Sequence, residues 1–298
     1  MIVAAIDLGT NTTRLLVADV EGDELRDLRR ETRITRLGEG VEARGRLLPV
    51  PIARVRNVLS DYRRAAEELG AERTLLVATS AVRDAENGEA FLGEIEWSYG
   101  FATRLLSGEE EAAMMRRGVG DLAPGTLLVD VGGGSTELVL DDFDTSLPLG
   151  SGRFTERHGE DVAALEAATR ELLPELSPSS AVGVAGTVTT LAALDLGLEE
   201  YDRRRVHGHL LTRAGAQAQL DRLAALPLEE RRRVPALEPE RAPVIVAGAA
   251  ILVAILDRYA LAGIRASERG LLHGAALAAA ELPEPEEGAA PPGAYTCC

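Results

Sequence analysis

The sequence predicts an α/β protein with two similarly built domains. Two stretches share one arrangement, AIDLGTNTTRLLV (5–17) and LVDVGGGSTELVL (128–140). In each stretch an apolar run ends in an aspartate, a glycine-containing turn with hydroxyl residues follows, and a second apolar run begins. Along the rest of the chain, short apolar runs typical of buried strands alternate with segments of helical periodicity. A length of 298 residues accommodates two domains.

The first half contains five predicted strands, at 2–7, 14–20, 25–37, 74–80 and 101–107. Apolar residues at helical spacing predict a helix over 51–69, and another helix begins near Asp84. The segment GEEEAAMMRRGVG (108–120) is typical of a helix, because its acidic residues suit the positive end of the helix dipole.

The second half repeats this plan, with predicted strands at 126–132, 137–142, 144–149 and 180–186. Helices are predicted at 160–173, after Gly186, and at 213–225, 241–261 and 269–281. We therefore expect domains at 1–124 and 125–281, with the last helix able to pack back on the first domain. The Pro-, Glu- and Gly-rich segment 282–298 predicts a disordered tail.

The composition narrows the possible functions. The formal net charge is −16, which argues against a generic nucleic-acid binder, since such proteins present a basic surface. It does not exclude an anionic ligand in a local basic site. The sequence contains no lysine, so guanidinium groups, backbone N–H groups or a metal must meet any phosphate.

The sequence also indicates where the protein works. Its two cysteines, Cys297 and Cys298, are adjacent and cannot cross-link a core. The first residues lack the basic and apolar regions of a signal peptide. The longest apolar run, 244–256, is too short to span a bilayer. We expect a cytoplasmic protein with no membrane partner and no nucleic-acid partner.

The two glycine turns predict a phosphate site. Glycine allows a backbone to approach closely, and successive N–H groups in a tight turn bind anions. Asp7 and Asp130 stand at the mouths of these turns, where a carboxylate repels phosphate unless a cation such as Mg²⁺ lies between them. An ordinary hairpin needs one or two glycines rather than three, so the functional interpretation is favoured. Neither turn matches a Walker A loop or G-x-G-x-x-G.

The motifs together resemble the exopolyphosphatase / guanosine pentaphosphate phosphohydrolase family, in particular its short two-domain members. The matching stretches follow one another along nearly the whole chain: DLGTNTTRLLV (7–17), RLGEG (36–40), ATSAVRDAEN (78–87), LSGEEEA (106–112), DVGGGSTELV (130–139), LPLGSGRFTE (147–156), VAGTVTTLAA (184–193), VHGHLLT (206–212) and RAPVIVAGAAIL (241–252). The resemblance implies two ribonuclease H-like domains of the actin-like ATPase superfamily, with a cleft between them.

The resemblance also implies roles for single residues. Glu111 matches the general base that activates water, and Arg83 matches an arginine that contacts phosphate. A salt bridge from Arg83 to Asp84 or Glu86 is the structural alternative, and Glu109 and Glu110 are expected to be an ordinary solvated helix start. The metal site is expected at Asp130 and Glu137, with Asp7 in support.

A further set of residues is expected to bind phosphate through backbone N–H groups, hydroxyls, an amide or a guanidinium: Thr10, Asn11, Thr12, Arg14, Gly132, Gly133, Gly134, Ser135, Thr136, Gly186 and Thr187. Gly186 and Thr187 belong to GTVTT, which places a glycine and hydroxyls at a helix N-terminus. Arg14 could equally have a structural partner in its strand. His207 and His209 are expected to be structural. The family often has G-L-R-x-G where this chain has Leu272, and Arg265 or Arg269 is expected to compensate.

We therefore expect an exopolyphosphatase-type hydrolase that acts on phosphoanhydride bonds and uses Mg²⁺, with Mn²⁺ as the alternative metal and a monovalent cation such as K⁺ as an additional candidate. Its substrate is expected to be inorganic polyphosphate, with guanosine pentaphosphate as the alternative. A non-catalytic sensor of either ligand and an ATP-dependent enzyme on the same fold are the other classes. We expect a homodimer.

Overall fold

The computed structural model describes residues 1–283, so most of the predicted tail, with Cys297 and Cys298, lies outside the described residues. The chain divides into two compact units. The first unit comprises Met1–Gly118 together with the described residues from Leu271 onward, and the second comprises Val119–Gly270. The boundary expected at 124/125 therefore moves to 118/119, and the last helix belongs to the first unit.

The first unit contains one five-stranded sheet with the strand order β3-β2-β1-β4-β5. Its elements are β1 (Ile2–Leu8), β2 (Thr12–Glu21), β3 (Glu24–Ile34), α1 (Val41–Arg44), α2 (Pro49–Glu68), β4 (Arg73–Ala78), α3 (Ser80–Arg83), α4 (Gly88–Tyr99), β5 (Ala102–Leu105) and α5 (Gly108–Val119). Strands β1, β2 and β3 form an antiparallel meander, whereas β4 and β5 run parallel to β1.

Both faces of the central strand β1 are buried, and strand alternation decides which side chains lie on which face. On one face, Ala4 and Ile6 of β1 belong to a core that includes Val55 and Leu59 of α2. On the other face, Val3 and Ala5 belong to a core with the last helix, α13 (Leu271–Ala280). The apolar residues of α13 thus bring it onto the first unit's sheet.

The second unit contains a six-stranded sheet with the strand order β10-β11-β9-β6-β7-β8. Its elements are β6 (Thr126–Val131), β7 (Thr136–Leu140), β8 (Phe143–Leu147), α6 (Ser151–His158), α7 (Val162–Leu172), β9 (Ser180–Val184), α8 (Ala185–Asp195), α9 (Arg203–Val206), β10 (Leu210–Thr212), α10 (Arg213–Ala225), α11 (Leu228–Arg231), α12 (Ile245–Arg258) and β11 (Gly263–Ala266). Strands β6, β9 and β11 run parallel. The prediction of an α/β protein is confirmed, with one mixed sheet in each unit.

The sequence missed several short elements of the second unit. The motif LPLGSGRFTE contains helix α6, and the strands β10 and β11 extend the sheet beyond β9. β10 has three residues and β11 has four, too few for a two-residue periodicity to be recognised. None of the helices in residues 1–283 combines the length and the apolar character that crossing a bilayer demands.

The core of the second unit is built mainly from Ala, Val, Leu and Ile, as the low aromatic content predicts. Its central helix is α12, in which every residue from Ile245 to Leu256 is buried. This run is the longest apolar segment of the sequence, and in the structure it packs inside the unit against α7 and α10. Burial of the whole circumference explains why the helix shows no polar face.

The charged side chain of Arg231 lies fully inside the second unit. Arg231 is 1% exposed and donates hydrogen bonds to the carbonyls of Leu223, Leu226 and Ala242 at 2.9–3.0 Å. Its guanidinium also forms a two-point ion pair with Glu160, at 2.5 and 2.9 Å. Hydrogen bonding to Arg231 lowers the pKa of the Glu160 carboxyl. A single side chain thus joins the ends of α10 and α11 to the segment before α12.

Replacing this arginine tests its structural role. Arg231→Met leaves three buried carbonyl groups without their donor, so we expect a loss of about 3 kcal/mol in the free energy of unfolding. Arg232→Met is the matched control, because Arg232 pairs with Glu229 at the surface and such pairs contribute less than about 1 kcal/mol. Urea unfolding followed by far-UV circular dichroism measures both. Equal midpoints for the two variants would contradict the assignment.

Candidate functional site

The first unit places a glycine turn directly after β1. In this turn (turn 1, residues 9–12), the N–H of Gly9 donates to the carbonyl of Thr12 at 3.0 Å. Asp7 lies two residues before the glycine, at the end of the strand. The hydroxyl of Thr10 is hydrogen-bonded to the hydroxyl of Ser80 at 2.8 Å, which ties turn 1 to α3.

The second unit repeats this geometry after β6. In its glycine turn (turn 2, residues 132–135), the N–H of Gly132 donates to the carbonyl of Ser135 at 3.0 Å. Asp130 again lies two residues before the first glycine. Among residues 1–283, the N–H groups of Gly133 and Gly134 find no acceptor within the chain. They are therefore available to an anion, as the nest interpretation requires.

The two hairpins differ at one cross-strand position. Asp7 is paired with Arg14 on β2, whereas Asp130 is paired with Glu137 on β7. The Arg14 guanidinium lies 3.6 Å from the Asp7 carboxylate. The first hairpin thus carries its own counter-charge, and the second brings two carboxylates together.

Asp7 is buried, and its environment combines opposing effects. Burial raises the pKa of the Asp7 carboxyl, while the positive charges of Arg14 and Arg30 lower it. Within the described part of the chain, Asp7 Oδ1 and the side-chain amide nitrogen of Asn11 are both buried without a hydrogen-bond partner. An acceptor and a donor left open beside turn 1 indicate a polar ligand there, since buried polar groups are normally satisfied.

Asp130 and Glu137 are 9% and 1% exposed. Strand alternation places them on the sheet face opposite Val129 and Leu138, which belong to the main core. The hydroxyl of Ser146 on β8 donates to Glu137 Oε1 at 2.8 Å and so fixes that carboxylate. No group of three or more His, Cys, Asp or Glu side chains in residues 1–283 is arranged to hold a metal ion.

The three glycines of turn 2 receive helix α6. The carbonyls of Gly132 and Gly133 accept from the N–H groups of Ser151, Gly152 and Arg153 at 2.8–3.1 Å. These N–H groups open the helix and would otherwise lack acceptors. The Arg153 side chain also donates to the Gly134 carbonyl at 2.8 Å. Turn 2 thus uses its carbonyls to hold α6, while the N–H groups of Gly133 and Gly134 stay open.

Gly150 must be a glycine because of this docking. A Cβ at position 150 would lie 2.4 Å from the Gly133 carbonyl oxygen and 2.4 Å from the Gly134 carbonyl carbon. Its φ of −132° is open to any residue, so the requirement concerns space and not conformation. The sequence signal was present in LPLGSG, but only the fold shows which backbone the glycine approaches.

Glu111 differs from the two glutamates before it. Glu109 and Glu110 are exposed, whereas Glu111 is 7% exposed. The Glu110 carboxylate accepts from the Ser107 N–H at 2.7 Å and the Ser107 hydroxyl accepts from the Glu110 N–H at 3.1 Å. This reciprocal pair is a capping box, which gives Glu110 a structural role. Only Glu111 is turned inward from the acidic run.

Arg83 holds Glu111 in place. The Arg83 Nη1 group donates to the Leu106 carbonyl at 2.6 Å and contacts Glu111 Oε2 at 3.3 Å. The guanidinium therefore joins the end of α3 to the loop before α5 and to the inward carboxylate. A carbonyl and one carboxylate oxygen use a single nitrogen of the guanidinium.

The start of α8 is another place where the second unit combines a glycine, Gly186, with hydroxyl residues. Ala185 has a φ of 59°, a left-handed conformation that is uncommon for residues other than glycine. The Thr187 hydroxyl donates to the Val131 carbonyl at 2.8 Å, joining α8 to the end of β6. Gly186 lies against the buried Arg241, since a Cβ there would be 2.2 Å from Arg241 Nη1. Sequence analysis did not single out this arginine.

Two of the expected phosphate-binding hydroxyls use their protons within the protein. The Thr136 hydroxyl donates to the Leu149 carbonyl at 2.6 Å, and the Thr187 hydroxyl is the donor to Val131. Ser135 and Thr12, both buried, lie at the end of each turn. Fewer hydroxyl groups can therefore donate to a phosphate than the sequence predicts.

Other expected residues have structural surroundings. His207 Nδ1 accepts from the Glu268 N–H at 3.2 Å, and His209 Nε2 lies 2.7 Å from Asp195. Leu272 is buried in the core between α13 and the sheet, which suits an apolar residue. Of the two arginines expected to compensate, Arg265 donates to the Gly208 carbonyl and Arg269 is exposed.

Comparison with known proteins finds similar sequences and structures over nearly the whole chain. The model of the Ppx/GppA phosphatase family matches residues 16–281. Exopolyphosphatase 2 of Mycobacterium tuberculosis is 37% identical over 313 aligned positions, covering 93% of this chain and 98% of the relative. The crystal structure of the Aquifex aeolicus member of the Ppx/GppA family is 31% identical with a TM-score of 0.76, covering 93% of this chain and 97% of that one.

A second group of relatives is longer. The guanosine-5'-triphosphate,3'-diphosphate pyrophosphatase of Vibrio vulnificus is 32% identical over 288 positions, covering 87% of this chain. The match covers 56% of that relative, so this chain spans just over half of its length.

The contact between turn 2 and α6 can be tested at Gly150. We expect Gly150→Ala to lower the free energy of unfolding by about 1–3 kcal/mol, because the added methyl group meets backbone atoms. Gly93→Ala is the control, since Gly93 is exposed on α4 and a Cβ there meets nothing within 4 Å. Thermal unfolding measures both variants. A Gly150→Ala protein as stable as Gly93→Ala would show that the turn has room to move.

Proposed function

Because this chain belongs to the Ppx/GppA phosphatase family, we propose that it is a phosphohydrolase that releases terminal orthophosphate from inorganic polyphosphate. The expected family and the expected class of hydrolase acting on phosphoanhydride bonds are confirmed by the relatives. The polyphosphate substrate is supported by the relative named exopolyphosphatase 2, which matches nearly the full length of both chains.

The observation that carries the proposal is the inward carboxylate of Glu111, held by Arg83 at 3.3 Å. In the proposed reaction Glu111 accepts a proton from the attacking water. A P–O bond forms to that oxygen, and the bond from the terminal phosphorus to the bridging oxygen breaks. Orthophosphate and a chain shorter by one phosphate leave. A positioned carboxylate base is suited to this step.

Phosphate binding falls to groups with open donors. In the second unit these are the N–H groups of Gly133 and Gly134. In the first unit the open amide of Asn11 and the guanidinium of Arg14 support the same role. Phosphoryl transfer depends mainly on positioning and on neutralising charge, and rigid turns that expose N–H groups provide the first of these.

We further propose that Asp130 and Glu137 hold Mg²⁺, with Asp7 in support. The donor set fits, because Mg²⁺ prefers oxygen ligands and commonly uses one or two carboxylates together with waters and phosphate oxygens. The absence of a three-residue cluster in the described chain is compatible with this mode. When bound, the metal would neutralise charge on phosphate oxygens. Mn²⁺ is the alternative metal, and K⁺ an additional candidate.

The alternative substrate is guanosine pentaphosphate, which the longer relatives support through their name. A sensor without turnover is the other alternative. Glu111 disfavours it, since a pure binder gains nothing from a buried general base. We also propose that the protein is a cytoplasmic homodimer. Sedimentation equilibrium measures its oligomeric state.

The function itself is tested by orthophosphate release in the presence of Mg²⁺. The purified chain is compared on tripolyphosphate, long-chain polyphosphate and guanosine pentaphosphate. Release from the polyphosphates supports the proposal, and release from guanosine pentaphosphate alone moves the activity to the alternative substrate. Binding of these compounds without release of orthophosphate from any of them would favour the sensor alternative.

The base assignment gives a sharper prediction. Glu111→Gln keeps the shape of the side chain but cannot accept a proton, so we expect kcat on polyphosphate to fall by about 10²–10⁴-fold. Glu110→Gln is the control, because glutamine preserves the capping box and kcat should stay near the parent value. A Glu111→Gln enzyme with more than half of the parent kcat would exclude Glu111 as the base.

The metal assignment predicts a change in Mg²⁺ dependence. We expect Glu137→Gln to raise the Mg²⁺ concentration needed for half-maximal rate by at least about tenfold, since it removes one of two carboxylates. Asp144→Asn, on the neighbouring strand β8, removes a carboxylate outside the pair and should leave the titration unchanged. Superimposable Mg²⁺ titrations for the parent and Glu137→Gln would rule out this ligand.

A further inference from the structure

A loop outside the predicted site supports turn 1. The N–H groups of Thr35 and Arg36 both donate to the Asn11 carbonyl, at 3.1 and 3.0 Å, and the N–H of Gly38 donates to the Thr10 carbonyl at 2.9 Å. Residues 35–39 are called the support loop. Three of its N–H groups therefore fix the backbone of the two residues that form the tip of turn 1.

The support loop has a conformation that needs an outside restraint. Arg36 has a φ of 48°, in the left-handed region that residues other than glycine seldom adopt. Such a conformation persists only where the surroundings hold it. Strain of this kind is often found beside functional sites. The question is which group holds the loop.

Arg54 on α2 is that group. Its Nε donates to the Thr35 carbonyl at 2.7 Å, and its Nη2 forms an ion pair with the Glu39 carboxylate at 2.6 Å. The same nitrogen makes a longer contact of 3.4 Å with the Arg36 carbonyl. One planar guanidinium thus spans the support loop from its first to its last residue. Lysine could not match this, because it lacks a planar fork of donors.

We propose that Arg54 is a positioning residue for the phosphate-binding turn of the first unit. It acts through the support loop: the guanidinium fixes the loop backbone, and the loop N–H groups fix Thr10 and Asn11. The open amide of Asn11 is thereby held in one direction. This inference rests on the proposed function for its consequence in catalysis, while the relay itself is a property of the fold.

The relay is tested without activity by hydrogen exchange. In Arg54→Met we expect the amides of Thr35, Arg36 and Gly38 to exchange faster, since the support loop is no longer held and its hydrogen bonds to turn 1 open more often. The control is Arg56→Met, two residues along the same helix, where the guanidinium pairs with Glu94. Mass spectrometry of peptides covering 33–40 measures both. Unchanged exchange in Arg54→Met overturns the proposal, whatever the activity.

Kinetics separates positioning from plain stability. We expect Arg54→Met to raise KM for tripolyphosphate about tenfold with kcat changed less, because a displaced turn weakens binding. The KM of Arg54→Lys should fall between those of the parent and Arg54→Met, because lysine keeps the positive charge but lacks the planar fork of donors. Faster exchange with an unchanged KM would reduce Arg54 to a structural residue and overturn the proposal. A parent chain inactive on polyphosphate would refute the proposed function, and the exchange result would still decide the relay.

Discussion

The repulsion between two carboxylates on adjacent strands is the constraint around which the candidate site of the second unit is built. Asp130 and Glu137 occupy one cross-strand pair and are almost fully buried. Like charges directly opposite each other destabilise a sheet, and burial strengthens the effect. A fold gains nothing from such a pair by itself. Two neighbouring features support the proposed site for a cation and phosphate: Ser146 fixes one carboxylate, and the N–H groups of Gly133 and Gly134 stay open.

In the first unit the corresponding aspartate faces a positive charge instead of a second carboxylate. Its hairpin has the same turn and an aspartate at the same offset, but Arg14 stands where the second hairpin has Glu137. The carboxylate that we propose as the base lies elsewhere, on α5. There the capping box uses Glu110 at the surface, and Glu111 turns inward towards Arg83. Two consecutive glutamates thus have unrelated tasks because the helix rotates them by about 100°.

Local patterns in the sequence predicted the strands, the glycine turns and the buried apolar helix α12. The order of apolar run, aspartate and glycine turn placed Asp7 and Asp130 at strand ends, and the family resemblance singled out Glu111. The sequence could not show that Gly150 approaches Gly133, that Arg241 lies against Gly186, or that Arg54 reaches the support loop. These contacts join residues that are far apart in sequence, and no periodicity encodes them. The sequence did not predict the short strands β10 and β11 for a related reason, since they are defined by their pairing with neighbouring strands more than by their composition.

The difference at a single cross-strand position also bears on how such a protein can diverge. The two hairpins share a turn hydrogen bond of 3.0 Å and the same spacing from aspartate to glycine, so their backbones are interchangeable in form. At the position across from the aspartate they carry opposite charges, Arg14 in one copy and Glu137 in the other. In a protein with two copies of one scaffold, exchanging the charge at that position gives one copy an ion pair and the other two carboxylates, the pair that we propose for a cation. Specialisation of duplicated halves then requires no new fold, only a local break in symmetry.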